Sequence, residues 1–331
     1  MRRRLLLVAA ALALVAGGCS GGRDALTIYS GREESLIAPL LEEFADSTGI
    51  DIDVRYADSV DLALLIAEEG SNTPADVFFS QSPGTVGYLD SEGMLADLDA
   101  EALDAVDSEF EASDGKWVGV TARQRVLVYN TEMVDAEDLP DSVLDLTDEQ
   151  YAGEVAVAPT NASFQDFVTA MRQAIGEDAA RAWLEGMAAN NSPIYADNSS
   201  IVAAVGRGEV PMGLVNHYYN YRALDEDPSQ PSLNYVFPGN DIGALLIAST
   251  VSVIETTDHA DEAARFVEFL LSRDAQEYFS EETFEYPLAS GVEPAEDLEP
   301  LDTVDTPDVD IGALGADLRS TAEMISESGL L

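Results

Sequence analysis

The sequence predicts an α/β protein of two lobes, each a mixed, mostly parallel sheet flanked by helices, with β-strands crossing between the lobes. Three observations predict it. Short apolar runs of strand length alternate with helical-period stripes from residue 26 onward, the order that builds a helix-covered parallel sheet. Beyond an N-terminal leader, the 331-residue chain keeps enough length for two units, since domains run about 100–200 residues. Hydrophobic residues make up 46% of it despite a net charge of −47, so the chain can build cores and is no disordered acidic tail.

The leader comes first. Met1-Arg2-Arg3-Arg4 is basic, residues 5–16 are apolar, and Ala16-Gly17-Gly18 runs into Cys19. The apolar run falls short of the roughly 20 residues a bilayer requires, so it reads as an export signal rather than a spanning helix. Cys19 is the only cysteine, which excludes an intramolecular disulfide. Its position directly after small residues resembles a bacterial lipoprotein processing site, although Ala16 stands where that pattern usually has leucine. Residues 1–18 are therefore expected as a signal peptide, Cys19 as the lipidation site and residues 19–25 as a flexible tether. The chain is expected on the outer face of the cell membrane, held there by its lipid.

In the first lobe, residues 26–30 form a strand that Gly31 turns. Leu36, Ile37, Leu40, Leu41 and Phe44 recur at helical spacing, and Gly49 ends that helix. Ile50, Ile52 and Val54 alternate with Asp51, Asp53 and Arg55 as a strand with one polar face. A helix at residues 59–69 is closed by Gly70, and residues 76–80 are a compact buried strand. Ligands of such sheets sit beyond the carboxyl ends of the strands. Those ends carry Ser30-Gly31-Arg32-Glu33 and Ser80-Gln81.

Residues 117–121 and 125–129 read as two β-rich runs separated by Ala122-Arg123-Gln124. A second α/β set begins at residues 153–158. A polar turn at 159–163 follows, then a helix with the stripe Phe164, Phe167, Met171 and Ile175. Further helices are expected at 178–187 and 201–205, and a strand at 210–215 delivers Tyr218 and Tyr219. Residues 243–253 are β-rich, and helices at 261–271 and 316–327 complete the chain. The expected lobes are residues 26–122 plus 246–298 and residues 123–245 plus 299–331, with hinges near Ala122 and at 244–253.

Charge and residue counts exclude several functions. With 63 Asp and Glu against 16 Lys and Arg, the surface is wrong for nucleic acid, whose phosphates need basic partners. The acids are spread through the chain and read as a solvated shell, of the sort a salt-adapted organism uses. Two histidines and one cysteine disfavour a zinc cluster. There is no Gly-Xaa-Ser-Xaa-Gly elbow and no phosphate-cradling glycine loop. What remains is Tyr218-Tyr219 beside a few arginines. A phenol normally keeps its proton until about pH 10, but a bound metal reverses that logic, and a hard ferric ion suits anionic oxygen donors. Arg32, Arg123 and Arg125 invite a small oxyanion, because the guanidinium fork matches one.

Several stretches carry a wider resemblance. In order they are Ile28-Tyr29-Ser30-Gly31-Arg32, Pro74-Ala75-Asp76-Val77-Phe78-Phe79-Ser80-Gln81, Arg123-Gln124-Arg125-Val126-Leu127-Val128-Tyr129-Asn130-Thr131, Ala158-Pro159-Thr160-Asn161, Asn216-His217-Tyr218-Tyr219 and Glu285-Tyr286-Pro287-Leu288. Together they resemble the ferric-iron-binding proteins of bacterial iron ABC importers, from about residue 26 to the C-terminus.

The resemblance implies a type II-like, two-lobed periplasmic-binding-protein fold that closes on Fe³⁺. It implies that Tyr218 and Tyr219 are the central iron ligands. Glu33 and Gln81 occupy places where one branch of the family has a histidine and a glutamate ligand. Phe164 stands where another branch has a third tyrosine. That branch completes its site with carbonate, for which Arg32, Arg125 and Arg123 are the matching residues. Asn161, Ala162, Ser163, Asn198 and Asn216 match positions that hold phosphate elsewhere in the family. Delivery to an ABC permease and its ATPase by a monomer without enzymatic activity is the implied role. Two rivals stand beside it: a same-fold receptor for a phosphonate, carboxylate or polyamine with the tyrosines as wall residues, and an exported enzyme on the same scaffold.

Overall fold

One long strand joins the two halves of the molecule. The computed structural model describes residues 25–331; the expected signal peptide, Cys19 and the tether up to residue 24 lie outside the described residues. The first half runs β1 (Leu26–Ser30), α1 (Glu34–Thr48), β2 (Ile52–Tyr56), α2 (Ser59–Glu69), β3 (Val77–Ser80), α3 (Pro83–Ser91) and a short α4 (Ala100–Leu103). Then β4 (Val118–Asn130) crosses to the second half. There β5 (Val155–Ala156), α5 (Ala162–Ile175), α6 (Glu177–Ala189), α7 (Asn198–Gly206), β6 (Met212–Asn216), α8 (His217–Glu226) and β7 (Ser232–Tyr235) follow. The chain returns through β8 (Leu246–Val253) to α9 (Ala260–Leu270), α10 (Arg273–Glu281) and β9 (Tyr286–Pro287), and ends in α11 (Leu318–Glu327).

The strand order is β2-β1-β3-β8-β4-β6-β5, with β7 and β9 also pairing with β4. β1 is parallel to β2 and β3, and β5 is parallel to β6, while β8 and β4 run against their neighbours. Pairing changes hands within β4. Up to Gln124 it bonds to β8, opposite Leu246; from Arg125 onward it bonds to β6, opposite Asn216. The two β-rich runs expected around Ala122-Arg123-Gln124 are therefore one strand of 13 residues. The three residues do not break it because Ala248, Ile247 and Leu246 stand opposite them. The β-run expected from residue 243 begins later, since Asp241 caps a 3₁₀ turn at Ile242–Ala244 by accepting from the Gly243 N–H.

Each half has its own aromatic centre. In the first, the apolar face of α1 buries Leu36, Ile37, Leu40, Leu41 and Phe44. Phe44 meets Phe266 edge-on at 5.1 Å and Phe269 at 5.3 Å. Gly49 ends α1 in the left-handed region at φ 68°, where a side chain would be strained. In the second half, Phe164, Phe167 and Trp183 pack together, and the Trp183 indole donates to the Val143 carbonyl at 2.9 Å. The C-terminal stretch touches both halves. α11 lies on α5, joined by Thr169 and Thr321 at 2.7 Å, whereas the turn Ile311–Asp317 before it packs on α3. Among the described residues no helix is long and apolar enough to cross a membrane.

Truncating the first centre tests this packing. Phe44→Ala is expected to cost about 3–5 kcal/mol in denaturant unfolding. Leu233→Ala, at a side chain 49% exposed, is expected to stay within about 0.5 kcal/mol. Equal losses would contradict the burial of Phe44.

Candidate metal and anion site

The carboxyl ends of β1 and β3, the middle of β4 and the helix starts of the second half converge on one buried place. β6 ends at Asn216, and α8 begins at once with His217, Tyr218 and Tyr219, all buried in its first turn. The two phenol rings stack with centroids 4.1 Å apart and planes 28° from parallel. The Tyr218 hydroxyl is buried without a hydrogen-bond partner. The Tyr219 hydroxyl donates to Glu33 Oε1 at 3.3 Å. Glu33 comes from the opposite half, just before α1, where its side chain caps nothing and so is free to reach across. A cavity lined by Glu33, Ser199, Tyr219 and Arg222, among others, opens beside this contact.

Burial sets the phenols' acidity. It pushes Tyr218 well above the usual range, with Arg32 and Arg123 pulling the other way. Tyr219 is raised by burial first, then by Tyr218 and Glu33. Both therefore keep their protons at neutral pH unless a cation displaces them. His217 is not part of this donor set. Its Nδ1 accepts from the Gln124 N–H at 3.0 Å, and burial lowers it to about 4, so it is a neutral prop under the start of α8.

The arginines lie at the junction. Arg32, Arg123 and Arg125 are each at most 1% exposed. Arg32 makes a two-pronged ion pair with Glu285, one arm at 3.0 Å, and Thr121 and Thr283 donate to the same carboxylate at 3.0 Å each. Only its Nε lacks a partner. Arg125 Nη1 donates to Asn216 Oδ1 at 3.3 Å, and its guanidinium rests near the rings of Phe164 at 6.0 Å and Phe167 at 5.5 Å. Burial and then Arg123 lower it to about 9. All three nitrogens of Arg123 are buried without partners; burial and then Arg32 lower its pKa as well.

A polar wall from the second half faces these cations. Asn216 Nδ2 donates to Ser163 Oγ at 3.2 Å, and Ser163 Oγ donates to Asn161 Oδ1 at 2.6 Å. Asn161 caps α5 by accepting from the Ser163 N–H at 3.1 Å, and Asn198 Nδ2 reaches the same oxygen at 3.4 Å. Ala162 is buried in the first turn of α5. The fold thus brings Tyr218, Tyr219, Glu33, Arg32, Arg123, Arg125, Asn161, Ser163, Asn198 and Asn216 into one neighbourhood. Gln81 is buried at the end of β3, its N–H donating to Ser59 Oγ at 3.0 Å, and no hydrogen bond joins its side chain to either tyrosine. Two residues were not singled out in the sequence. Glu285, which holds Arg32, lies inside the Glu-Tyr-Pro-Leu stretch and carried no role there. Asp166, on the face of α5 away from the stripe Phe164, Phe167, Met171 and Ile175, is 1% exposed; burial pushes it up to about 7 against the pull of Ser82 and Arg123.

The chemistry of this cluster is oxygen donors on one side and unpaired N–H groups on the other. Among the described residues no group of three or more His, Cys, Asp or Glu is placed to hold a metal, so any metal here would rest on the phenols. Comparison with known proteins narrows the reading. Residues 72–311 match the family model described as bacterial extracellular solute-binding protein. The chain is 32% identical to the Fe(3+)-binding periplasmic protein of Serratia marcescens, over 98% of this chain and 96% of that one. It is 31% identical to the major ferric iron-binding protein of Neisseria meningitidis, over 96% and 98%. The crystal structure of iron-bound HitA from Pseudomonas aeruginosa superposes with a TM-score of 0.89 at 34% identity, covering 92% of this chain and 99% of that one. With the two-lobed fold and so full a match, the chain belongs to the bacterial extracellular solute-binding proteins.

Proposed function

We propose that this chain captures ferric ion between its lobes through Tyr218 and Tyr219 and delivers it to a membrane importer. The observation that carries the reading is the stacked phenol pair, one hydroxyl buried without a partner and the other on Glu33. Buried polar groups are rarely left unpaired, and a hard trivalent cation is the partner that suits two phenolates and a carboxylate. Glu33 is the third proposed donor, and Gln81 is the weaker candidate for a fourth.

A small oxyanion, carbonate or phosphate, would complete the site. The unpaired N–H groups of Arg123 and Arg125 and the Nε of Arg32 supply its donors, and Asn216, Ser163, Asn161, Ala162 and Asn198 form the wall behind it. Phe164 contributes no oxygen and packs on Arg125 instead. An organic-anion receptor would use the arginines equally well and would stack its ligand on the tyrosines or bond it to their hydroxyls, but the ferric-ion names of the relatives favour the metal. The role we propose is capture, as the solute-binding family of the chain favours.

The proposed lobes are residues 26–122 plus 246–298 and 123–245 plus 299–331, hinged where β4 changes partners. The lobes close over the ion, and the closed monomer docks on an ABC permease powered by its ATPase. Lipid attachment at Cys19 would keep it at the outer face of the membrane after residues 1–18 are removed.

Two outcomes test the capture reading. Equilibrium dialysis against ferric citrate is expected to show Tyr218→Phe and Tyr219→Phe each losing at least about 100-fold in affinity, the upper end of what losing even an outer partner costs a metal site; wild-type affinity in both would refute the ligand assignment. Acid dependence follows from the raised phenols. Each holds its proton in the iron-free chain and releases it to solvent when the ion binds, so binding releases two protons and tightens as pH rises. Apparent affinity, corrected for the chelator's own titration, is expected to climb by roughly 100-fold per unit between about pH 6 and pH 8. A flat profile would mean that the phenols stay protonated.

A further inference from the structure

One buried carboxylate faces Arg123 and Arg125 but makes its side-chain hydrogen bond elsewhere. Asp166 lies in the first turns of α5, and its Oδ1 accepts a hydrogen bond from Ser82 Oγ at 2.7 Å. Ser82 belongs to the other half of the molecule. It is the N-cap of α3, where its Oγ also accepts from the Thr85 N–H at 3.3 Å. Gly84, in the first turn of α3, allows the approach: a Cβ there would stand 2.6 Å from Asp166 Oδ1, closer than atoms in contact tolerate. Here the absence of a side chain, rather than backbone freedom, is what the position requires.

We infer that Asp166 is a latch between the lobes: its carboxyl group docks on the N-terminus of α3 when the cleft closes and leaves it when the cleft opens. The physical case has three parts. A carboxylate is favoured at a helix N-terminus by the free N–H groups and the dipole there. Burying it is costly unless it is bonded, and here the bond partner comes from the opposite lobe, so the bond exists only while the lobes are together. Finally, Oδ1 accepts from Ser82 in either protonation state, because a proton on the carboxyl group can reside on Oδ2, which is buried and has no partner. Asp166 is thus a positioning residue. It touches neither phenol and tunes how long a captured solute stays.

The inference rests on the reading that the lobes close over a cargo, and its test separates the two. Ser82→Ala and Gly84→Ala are compared with wild type for the rate at which excess chelator removes ferric ion, with thermal unfolding as the check that each variant folds. Loss of the hydrogen bond to the carboxyl group in Ser82→Ala, and its displacement by the added methyl group in Gly84→Ala, are each expected to speed removal roughly 10- to 100-fold, with the visible spectrum of the bound ion unchanged because no ligand is altered. Small-angle scattering of the iron-free chains needs no cargo: Gly84→Ala is expected to have a larger radius of gyration than wild type. Equal removal rates in both variants overturn the latch. If wild type takes up no ferric ion, the cargo reading falls and scattering alone decides, equal radii overturning the latch.

Discussion

Three buried guanidinium groups at the junction of two half-sheets are the constraint around which the site is arranged. A buried cation is tolerated only when paired or richly hydrogen-bonded. Glu285 answers Arg32 with both oxygens, and two threonines hold that carboxylate in place. Arg125 receives one amide oxygen and two aromatic faces. Arg123, between them in β4, has no hydrogen-bond partner. The strand that connects the lobes therefore carries positive charge that the described residues only partly satisfy, and an arriving anion would find its donors already in place.

The tyrosines meet the same field from the other side. Arg32 and Arg123 favour the phenolate form of Tyr218, but burial outweighs them, so the hydroxyl stays protonated until a stronger partner arrives. That balance suits capture and release. A trivalent ion can take the protons' place, and acid or loss of the anion can reverse the exchange. Glu33, half-buried, reaches Tyr219 from the opposite half of the molecule, as Asp166 reaches Ser82.

Much of this was legible in the sequence, and the failures have physical causes. The helical stripe from Leu36 to Phe44 and the buried strand ending at Ser80 announced the first lobe, because single-face burial leaves a period in the chain. Tyr218 and Tyr219 stood out because the strand before them is short and apolar. The continuity of β4 was hidden, since Ala122-Arg123-Gln124 looks like a polar break unless a partner strand from residues 246–248 is known. Glu285 could not be paired with Arg32 from the sequence: 253 positions separate them, and no local pattern encodes so distant a bond. Asp166 was hidden differently. An acid on the face opposite the apolar stripe reads as a helix-surface residue until the other half of the molecule is brought against it.

The most direct measurement of the account is a visible absorption titration of the iron-free exported chain with ferric citrate, with and without bicarbonate. Tyrosinate bound to ferric ion is expected to give a broad visible band that saturates at one ion per chain, strengthens with bicarbonate and is absent from the Tyr218→Phe, Tyr219→Phe double variant. Ferric ion retained by the chain with no visible band, or with the same band in the double variant, would contradict capture by the phenol pair and return Tyr218 and Tyr219 to the role of aromatic wall.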